Sequence, residues 1–282
     1  MKTFSLLFIF ITFTFCVLSQ TEGAKGDLFK QATISSGKTH VILIGVSEYE
    51  FLEKEKQLKY ADDDTKMMEE YLSTWENINI KTFINKNTSS KDEITAEIEN
   101  TLHFEAKDGD LVIIYFSGHG DVDPIYNDGY FLLNGVKEPN NHSYRSNQAL
   151  SMNNINDAIN IAANKNIQVF LITDACRSGK ILNSNDANQR MLEIGTNTLS
   201  LVSCSPNELS FESNKYGGGH GVFTYHLVQG LMGLADKDND KVISFKELSR
   251  YVEDNVALSE NNAQNPQSKG LMSKKIAPVN EE

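Results

Sequence analysis

Apolar runs along this chain alternate with stretches in which apolar residues recur at helical spacing, and the alternation predicts an α/β fold. Several runs are apolar over most of five or more consecutive positions, which is typical of strands covered on both faces. The pattern predicts strands at 40–46, 79–84, 110–116, 130–133, 167–173 and 199–204, and helices at 58–72, 89–103, 152–163 and 220–234. Because strands and helices alternate, we expect a mostly parallel sheet of about six strands with helices on both faces.

Two of these strands lead into short segments that carry reactive side chains. The run at 167–173 is followed by Asp174 and Cys176, and the run at 110–116 leads into a loop with His119. The carboxyl ends of neighbouring parallel strands meet at one edge of a sheet, where ligands bind in open α/β folds. We therefore expect the thiol of Cys176 and the imidazole of His119 to share one crevice.

The residue types in this crevice indicate nucleophilic catalysis. A cysteine attacks carbonyl groups as a thiolate, so it needs a base nearby, and histidine titrates near neutral pH. Gly118 and Gly120 flank His119 and would let a substrate backbone approach closely. His220, which also lies in a glycine-rich segment, is the second choice for the base.

Cysteine usage leaves a structural alternative open. Three cysteines are present, and Cys16 lies in a segment that we expect to be removed. The remaining two, Cys176 and Cys204, could form a disulfide in an exported protein. A chain of this size has core enough without such a link, since disulfide scaffolds are mostly small.

Residues 1–19 have the features of a secretory signal peptide. Lys2 supplies the positive start, an apolar stretch follows at 4–18, and Ser19 precedes the expected cleavage site. The apolar stretch is shorter than the ~20 residues that a spanning helix needs. We therefore expect a secreted or periplasmic protein that has no membrane association after signal removal, with a polar N-terminal arm at 20–37.

Charge narrows the class of partner. The net charge is −12 over 282 residues. A sequence-independent grip on phosphates requires clustered Lys and Arg, so this composition excludes nucleic acid as a partner. An acidic protein attracts basic substrates.

The segments around the two reactive side chains resemble the signatures of a known family. The sequences YFSGHG at 115–120 and DACRSG at 174–179 are similar to the histidine and cysteine motifs of caspase-like peptidases, particularly metacaspases and their bacterial relatives. Further similar segments lie at 58–63, 203–212 and 219–225. Clostripain, gingipain and legumain share the broader pattern. The likeness covers about residues 38–260 and implies a caspase-like three-layer sandwich over 38–282.

This resemblance implies a cysteine endopeptidase. Cys176 would attack the scissile carbonyl, His119 would take up and return protons, and the backbone N–H groups of Cys176 and Gly120 would hold the oxyanion. In metacaspases the aspartate two residues before the nucleophile shapes an acidic pocket for Arg or Lys, and Asp174 has that position here. Since a carboxylate pairs well with a basic side chain, we expect cleavage after Arg or Lys in protein or peptide substrates. The alternative is that Asp174 caps a backbone N–H at the end of its strand.

Activation and the wider class of function stay open. Relatives often cleave themselves between their large and small portions, and Lys180 and Arg190 lie in a polar stretch where such cleavage is a hypothesis for activation. A caspase-like binding or scaffold protein with an idle catalytic pair is one alternative. A related thiol hydrolase with Asp or Asn preference is another. The oligomeric state is also open, because caspases pair through a sheet edge and metacaspases tend to stay single.

Residues 236–247 match the EF-hand calcium loop at positions one, three, five, nine and twelve. The expected calcium ligands are Asp236, Asp238, Asp240, Val242 through its carbonyl, and Glu247. Lys241 stands where glycine is expected at position six, and the sequence has no second loop of this kind, although EF-hands normally come in pairs. Calcium binding and an acidic interhelical turn therefore both remain open. The cysteine–histidine pair itself requires no cofactor.

Overall fold

The computed structural model describes residues 37–88, 90–123, 125–137, 143–176, 192, 198–205 and 208–279, with Cys176 described by its backbone. The predicted signal peptide, the arm before Gly37, and the hypothetical cleavage positions Lys180 and Arg190 lie outside these residues. Within the described ranges, no helix combines the length and apolar character that crossing a membrane requires.

A mixed sheet lies at the centre of the molecule. The strands are β1 (Thr39–Gly45), β2 (Ile78–Ile84), β3 (Leu111–Val122), β4 (Gly129–Leu132), β5 (Ala149–Ser151), β6 (Gln168–Cys176), β7 (Thr198–Val202), β8 (Glu212–Ser213), β9 (His220–Gly221), β10 (Val242–Ser244), β11 (Gln267–Lys269) and β12 (Lys275–Pro278). The order β11-β7-β6-β3-β1-β2 forms the main sheet, in which β11 is antiparallel and the other five strands are parallel. This arrangement confirms the predicted, mostly parallel sheet of about six strands.

The described helices cover both faces of this sheet. They are α1 (Ala61–Leu72), α2 (Lys91–Asn100), α3 (Met152–Ala163), α4 (Val222–Gln229) and α5 (Phe245–Ser259), and π-helical turns at Thr101–Glu105 and Gly230–Leu234 extend α2 and α4. Three helices begin with a serine whose hydroxyl accepts a backbone N–H three residues on, and these serines are Ser90, Ser151 and Ser244. Such caps stabilise a helix start by about 1 kcal/mol each.

Alternate residues of the central strands point to two separate cores. Val112 and Ile114 of β3 pack in one core with α2 and α3, whereas Ile113 and Tyr115 pack in the other with α1, α4 and α5. Side chains in a strand point to opposite faces in turn, so one apolar run can supply both cores. The result is the expected three-layer sandwich.

The two strands with reactive residues are longer than predicted. β3 continues past Phe116 to Val122, so His119 lies within the strand and not in a loop after it. The extension has a partner, because Gly120 to Val122 pair antiparallel with β4. β6 likewise runs through Cys176.

Two predicted helix starts also differ from the observed ones. α1 begins at Ala61, three residues later than predicted, and the carboxylate of Glu212 accepts the N–H groups of Lys59 and Tyr60 just before it. His220 lies in β9 and not in a helix, since α4 begins at Val222.

Gly45 sets the distance between β1 and α1. A β-carbon at Gly45 would lie 2.1 Å from Thr65 Oγ1 and 2.9 Å from the carbonyl oxygen of Ala61. Thr65 Oγ1 itself donates to that carbonyl at 2.8 Å, so the helix backbone rests directly on the end of the strand. This contact fixes the height of α1 above the sheet.

We expect Gly45→Ala to destabilise the protein by roughly 1–3 kcal/mol, because the new methyl group forces α1 away from a well-packed contact. Denaturant unfolding of both proteins measures the difference. Gly135→Ala is a matched control, since its β-carbon would meet only the flexible side chain of Gln148, at 3.2 Å. An equal loss in both variants would contradict this packing argument.

Candidate active site

The structure brings Cys176 and His119 together as neighbours in adjacent strands. β3 and β6 are parallel, and their register pairs Ser117 with Asp174, Gly118 with Ala175, and His119 with Cys176. Fifty-seven positions separate the two residues along the chain, and the sheet removes that separation. The backbones of a histidine and a cysteine thus lie side by side at the carboxyl edge of the sheet.

His119 is held by a backbone carbonyl. Its Nε2 lies 2.7 Å from the carbonyl oxygen of Lys56, and its side chain is 1% exposed. A carbonyl oxygen only accepts hydrogen bonds, so Nε2 carries the proton of the neutral ring and Nδ1 keeps the lone pair. Among the described residues, buried Nδ1 has no hydrogen-bond partner.

Burial also sets the charge of His119. It lowers the pKa of the imidazole from 6.5 to about 4, and the hydrogen bond to the Lys56 carbonyl opposes the change only in part. At neutral pH the ring is therefore the neutral form, which can accept a proton at Nδ1.

The two glycines beside His119 have different surroundings. A β-carbon at Gly118 would lie 2.9 Å from the Phe116 ring and 3.0 Å from the Tyr49 hydroxyl oxygen, so this position has room for glycine only. Gly120 is in register with Phe131 of β4. The oxyanion role of the Gly120 and Cys176 N–H groups stays a prediction.

Asp174 lies two residues before Cys176 in β6 and is buried. Its Oδ1 accepts from the hydroxyl of Ser210 at 2.7 Å, and its Oδ2 accepts from the hydroxyl of Thr224 at 2.7 Å and from the Thr224 N–H at 3.3 Å. Because Thr224 is in the first turn of α4, Asp174 caps that helix, as its alternative interpretation stated. Negative charge is favoured at a helix N-terminus, so this contact also stabilises the start of α4.

Asp64 is a second buried carboxylate at this place, and the sequence analysis missed it. Its oxygens accept the Gly221 N–H at 3.0 and 3.2 Å, and Oδ1 lies 3.0 Å from Nδ1 of His220. A β-carbon at Gly221 would lie 2.7 Å from Asp174 Oδ2 and 2.9 Å from Asp64 Oδ2. We refer to Asp64 and Asp174 together as the acid pair.

Burial and mutual repulsion govern the titration of the acid pair. Burial raises the pKa of Asp64 to about 7, with a further rise from the negative charge of Asp174 and opposing effects from His220 and the Gly221 N–H. Burial also raises the pKa of Asp174. In the described part of the chain, no Lys or Arg forms an ion pair with either carboxylate. Among the described residues, the acid pair is thus a buried acidic site without a lysine or arginine partner.

Two alternatives from the sequence can now be compared with the structure. His220 lies beside Asp64, whereas the register partner of Cys176 is His119. Cys204 is a buried thiol that points to the carbonyl of Glu208 at 3.5 Å and belongs to no disulfide. The interpretation of Cys176 and Cys204 as a structural disulfide is therefore wrong.

The EF-hand-like loop has a compact acidic arrangement. Ligand atoms of Asp236, Asp238 and Asp240 lie within 4.8 Å of one another. Lys241, at the position of the expected glycine, has φ +66° and so reaches the left-handed conformation that this turn requires. Glu247 is used as a helix cap, because its carboxylate accepts from Ser244 and from the Lys237 N–H.

The EF-hand-like loop pairs with the strand β12, where an EF-hand normally pairs with a second loop. β10, within the EF-hand-like loop, pairs antiparallel with β12, and Ile243 is in register with Ala277. One carboxylate oxygen, Asp236 Oδ1, is buried and has no hydrogen-bond partner among the described residues. Oxygen donors of this kind suit a hard cation such as calcium.

Comparison with known proteins identifies the family. A family model described as the caspase domain matches residues 38–277. A comparison with curated proteins finds no significant match. Among solved structures, a protein from Geobacter sulfurreducens is similar with a TM-score of 0.58 at 15% identity, covering 86% of this chain and 100% of that chain.

Insect caspases give a comparable likeness. Caspase-1 from Spodoptera frugiperda is similar with a TM-score of 0.57 at 12% identity, covering 92% of this chain and 96% of that chain. The structure of pro-sf-caspase-1 has a TM-score of 0.54 at 16% identity, covering 86% and 95%. At such identities the likeness shows the fold alone, so the closer relation to metacaspases stays a prediction.

The family match spans most of the chain and includes both His119 and Cys176. Members of this family are cysteine peptidases. The chain therefore belongs to the caspase-domain family.

Proposed function

We propose that this chain is a cysteine endopeptidase in which Cys176 is the nucleophile and His119 is the base. The observation that carries the proposal is the register of β3 and β6, which makes the two residues direct neighbours. The hydrogen bond to the Lys56 carbonyl also selects the tautomer that this reaction needs, because it leaves Nδ1 of His119 unprotonated. The strand register and the Lys56 hydrogen bond come from separate parts of the chain, and both favour proton transfer from Cys176 to His119.

The reaction follows from these groups. Nδ1 of His119 takes the proton of the Cys176 thiol, and the thiolate attacks the carbonyl carbon of the substrate. Backbone N–H groups of Cys176 and Gly120 hold the oxyanion. The imidazolium then gives its proton to the leaving amine as the peptide C–N bond breaks. Water, activated by the same imidazole, hydrolyses the remaining thioester and restores the thiol.

We infer basic specificity from the acid pair. Asp174 precedes Cys176 by two residues, which is about 7 Å along a strand. Two buried carboxylates that repel each other gain stability from a cation placed between or beside them. A Lys or Arg side chain supplies that cation together with several hydrogen-bond donors. The substrates are therefore proteins or peptides with Arg or Lys before the cleaved bond.

Localisation and activation follow from segments outside the described residues. The signal-like segment 1–19 supports action in a secreted or periplasmic setting. Cleavage after Lys180 or Arg190 stays a hypothesis for activation.

We also propose that the EF-hand-like loop binds calcium. The three clustered aspartates form a set of hard oxygen donors, with the Val242 carbonyl as a further ligand, and Asp236 Oδ1 has no partner among the described residues. Glu247 would leave its cap on Ser244 to complete the set. Since this loop stands apart from the cysteine and histidine in the sequence, no step of peptide hydrolysis is assigned to it.

Peptide cleavage tests the proposed activity directly. Reporter peptides ending in Arg, Lys, Asp or Asn are given to the purified chain, and we expect turnover of those with Arg or Lys only. Cys176→Ala should lower kcat by on the order of 10³-fold or more, because it removes the nucleophile. Cys204→Ala is the matched control and should keep most of the activity, since that thiol is a buried packing group.

Other outcomes of the same panel favour the other candidate functions. Turnover after Asp or Asn would identify a thiol hydrolase of different specificity. A folded chain that cleaves none of the peptides would support a binding or scaffold role.

The pH dependence of KM tests the acid pair. The Asp64 carboxyl, with its pKa raised to about 7, loses its charge as the pH falls from 8 to 6. We therefore expect KM for an Arg peptide to rise as the pH falls from 8 to 6. Asp64→Asn should raise KM at pH 8 and remove this pH dependence of KM. Asp63→Asn, at the exposed neighbouring residue of α1, should behave like the unchanged protein.

Protein stability should fall as the pH rises, whereas substrate binding should improve. Because the folded state holds the Asp64 proton more tightly than the unfolded state does, the free energy of unfolding falls as the pH rises from about 4 to about 7. Asp64→Asn should thus raise the melting temperature at pH 8 by roughly 2–4 °C and have less effect at pH 4. A lower melting temperature at pH 8 would show that Asp64 is a structural residue.

Calcium binding by the EF-hand-like loop is also directly testable. Titration calorimetry should give a Kd on the order of 10⁻⁴ to 10⁻³ M, the range of weak extracellular calcium sites. Asp238→Asn should weaken binding about tenfold, whereas Asp254→Asn, on the exposed face of α5, should not. Equal heats from both variants would assign the loop to an acidic turn.

A further inference from the structure

The loop at 47–58 contacts His119 on two sides. The Tyr49 ring stacks on the imidazole, with ring centroids 4.8 Å apart and planes 18° from parallel. The Tyr49 hydroxyl accepts the backbone N–H of His119 at 2.7 Å. The carbonyl of Lys56, near the other end of the loop, accepts from Nε2 at 2.7 Å. One face and one nitrogen of the ring are thus held by a single segment.

The side chain of Gln57 ties the two contact points of this loop together. Its Oε1 accepts the Tyr49 N–H at 2.6 Å, and its Nε2 donates to the carbonyls of Tyr49 at 2.9 Å and Leu52 at 3.0 Å. Because Gln57 directly follows Lys56, these bonds connect the peptide that holds Nε2 to the residue that stacks on the ring.

The loop at 47–58 is also closed at its two ends and hydrogen-bonded to segments that follow β2 and β4. The Leu58 N–H donates to the Ser47 carbonyl at 3.0 Å, which closes the loop. The Ser47 N–H donates to Asn85 Oδ1 at 2.8 Å, and the Glu50 N–H donates to the Asn134 carbonyl at 2.8 Å. These hydrogen bonds hold the loop in place beside His119, and the bonds of Gln57 lie within the loop.

From these contacts we infer that Tyr49 and Gln57 are positioning residues for His119. The inference rests on the proposed function, because it assigns them to the base of that reaction. A general base must be placed accurately, and an error of about 1 Å can cost on the order of 10²-fold in rate. Stacking fixes the tilt of the ring, and the Gln57 bonds fix the carbonyl that selects its tautomer.

A purely structural role would have different consequences. Tyr49 is buried, so its loss would lower stability whatever its role. A loss of packing at Tyr49 alone would not change the protonation of the Cys176 thiol. The reactivity of Cys176 as a function of pH therefore separates positioning from packing, and it requires no knowledge of the substrate.

The experiment compares Gln57→Glu, Gln57→Ala, Tyr49→Phe and Tyr49→Leu with the unchanged protein. Gln57→Glu keeps the shape but removes the Nε2 donors, and Tyr49→Phe keeps the stacked ring but removes the hydroxyl. Gln267→Glu is the matched control. Gln267 begins the edge strand β11 and donates to the Asn265 and Pro266 carbonyls just before it. In the sheet order β11 is remote from β3, which carries His119.

Two readouts are taken on each protein. The first is kcat and KM on an Arg peptide, and the second is the rate of Cys176 alkylation by iodoacetamide against pH, with the adduct located by mass spectrometry. We expect Gln57→Glu and Tyr49→Leu to lower kcat about 10- to 100-fold with KM changed less than about threefold. The rate of Cys176 alkylation near neutral pH should fall in the same variants, because a misplaced Nδ1 of His119 accepts the thiol proton less well. Tyr49→Phe should show a smaller change.

His119→Ala distinguishes the inference from the proposed function. If it leaves the alkylation profile unchanged, the pair of Cys176 and His119 is itself wrong. If it shifts the profile while all four Tyr49 and Gln57 variants keep theirs, the pair stands and the positioning role is overturned. Melting temperatures identify any variant that fails to fold, and the conservative variants Gln57→Glu and Tyr49→Phe then decide.

Discussion

The parallel pairing of β3 with β6 is the constraint on which the site depends. His119 and Cys176 have no relation along the chain, and a register shift of one residue would separate them and turn every side chain of one strand to the other face. Both strands lie in the middle of the sheet and supply two cores at once, so such a shift would disrupt both layers. Packing over the whole domain thus maintains the geometry of two residues at its edge.

The polar groups around this edge are costly to bury, and the fold compensates them one by one. A buried imidazole is kept neutral, and its Nε2–H donates to the Lys56 carbonyl. Asp174 receives hydroxyl groups from Ser210 and Thr224, while Asp64 receives the Gly221 N–H. Within the described part of the chain, the compensation is incomplete at Nδ1 of His119 and in the charge of the acid pair. Incomplete satisfaction of buried polar groups is characteristic of sites that act on a ligand.

Local patterns in the sequence predict most of the layers but only part of the site. Alternating apolar runs predict the strands and α3 because buried strands and amphipathic helices leave short-range signals. His119 and Cys176 are predictable because reactive residues at strand ends share an edge. The Lys56 carbonyl is not, since a backbone group carries no residue signature. Asp64 did leave a signal in the sequence: it lies on the buried face of α1 with Ala61 and Met68, where a charge is unexpected.

Segments packed in both layers of the sandwich meet at this edge of the sheet. The layer of α2 and α3 includes Tyr49, whose ring and hydroxyl hold the histidine. The layer of α1 and α4 carries the acid pair, and Gly45 sets its height by letting α1 rest on β1. Under the proposed function, a change in the loop that holds the imidazole would act on proton transfer, and a change in α1 would act on recognition of the substrate. His119 and Asp174 themselves share one face of the sheet, because the register pairs His119 with Cys176 and Ser117 with Asp174, two residues apart along each strand. Support for the imidazole by Tyr49 thus comes from a loop that packs in the opposite layer to the acid pair.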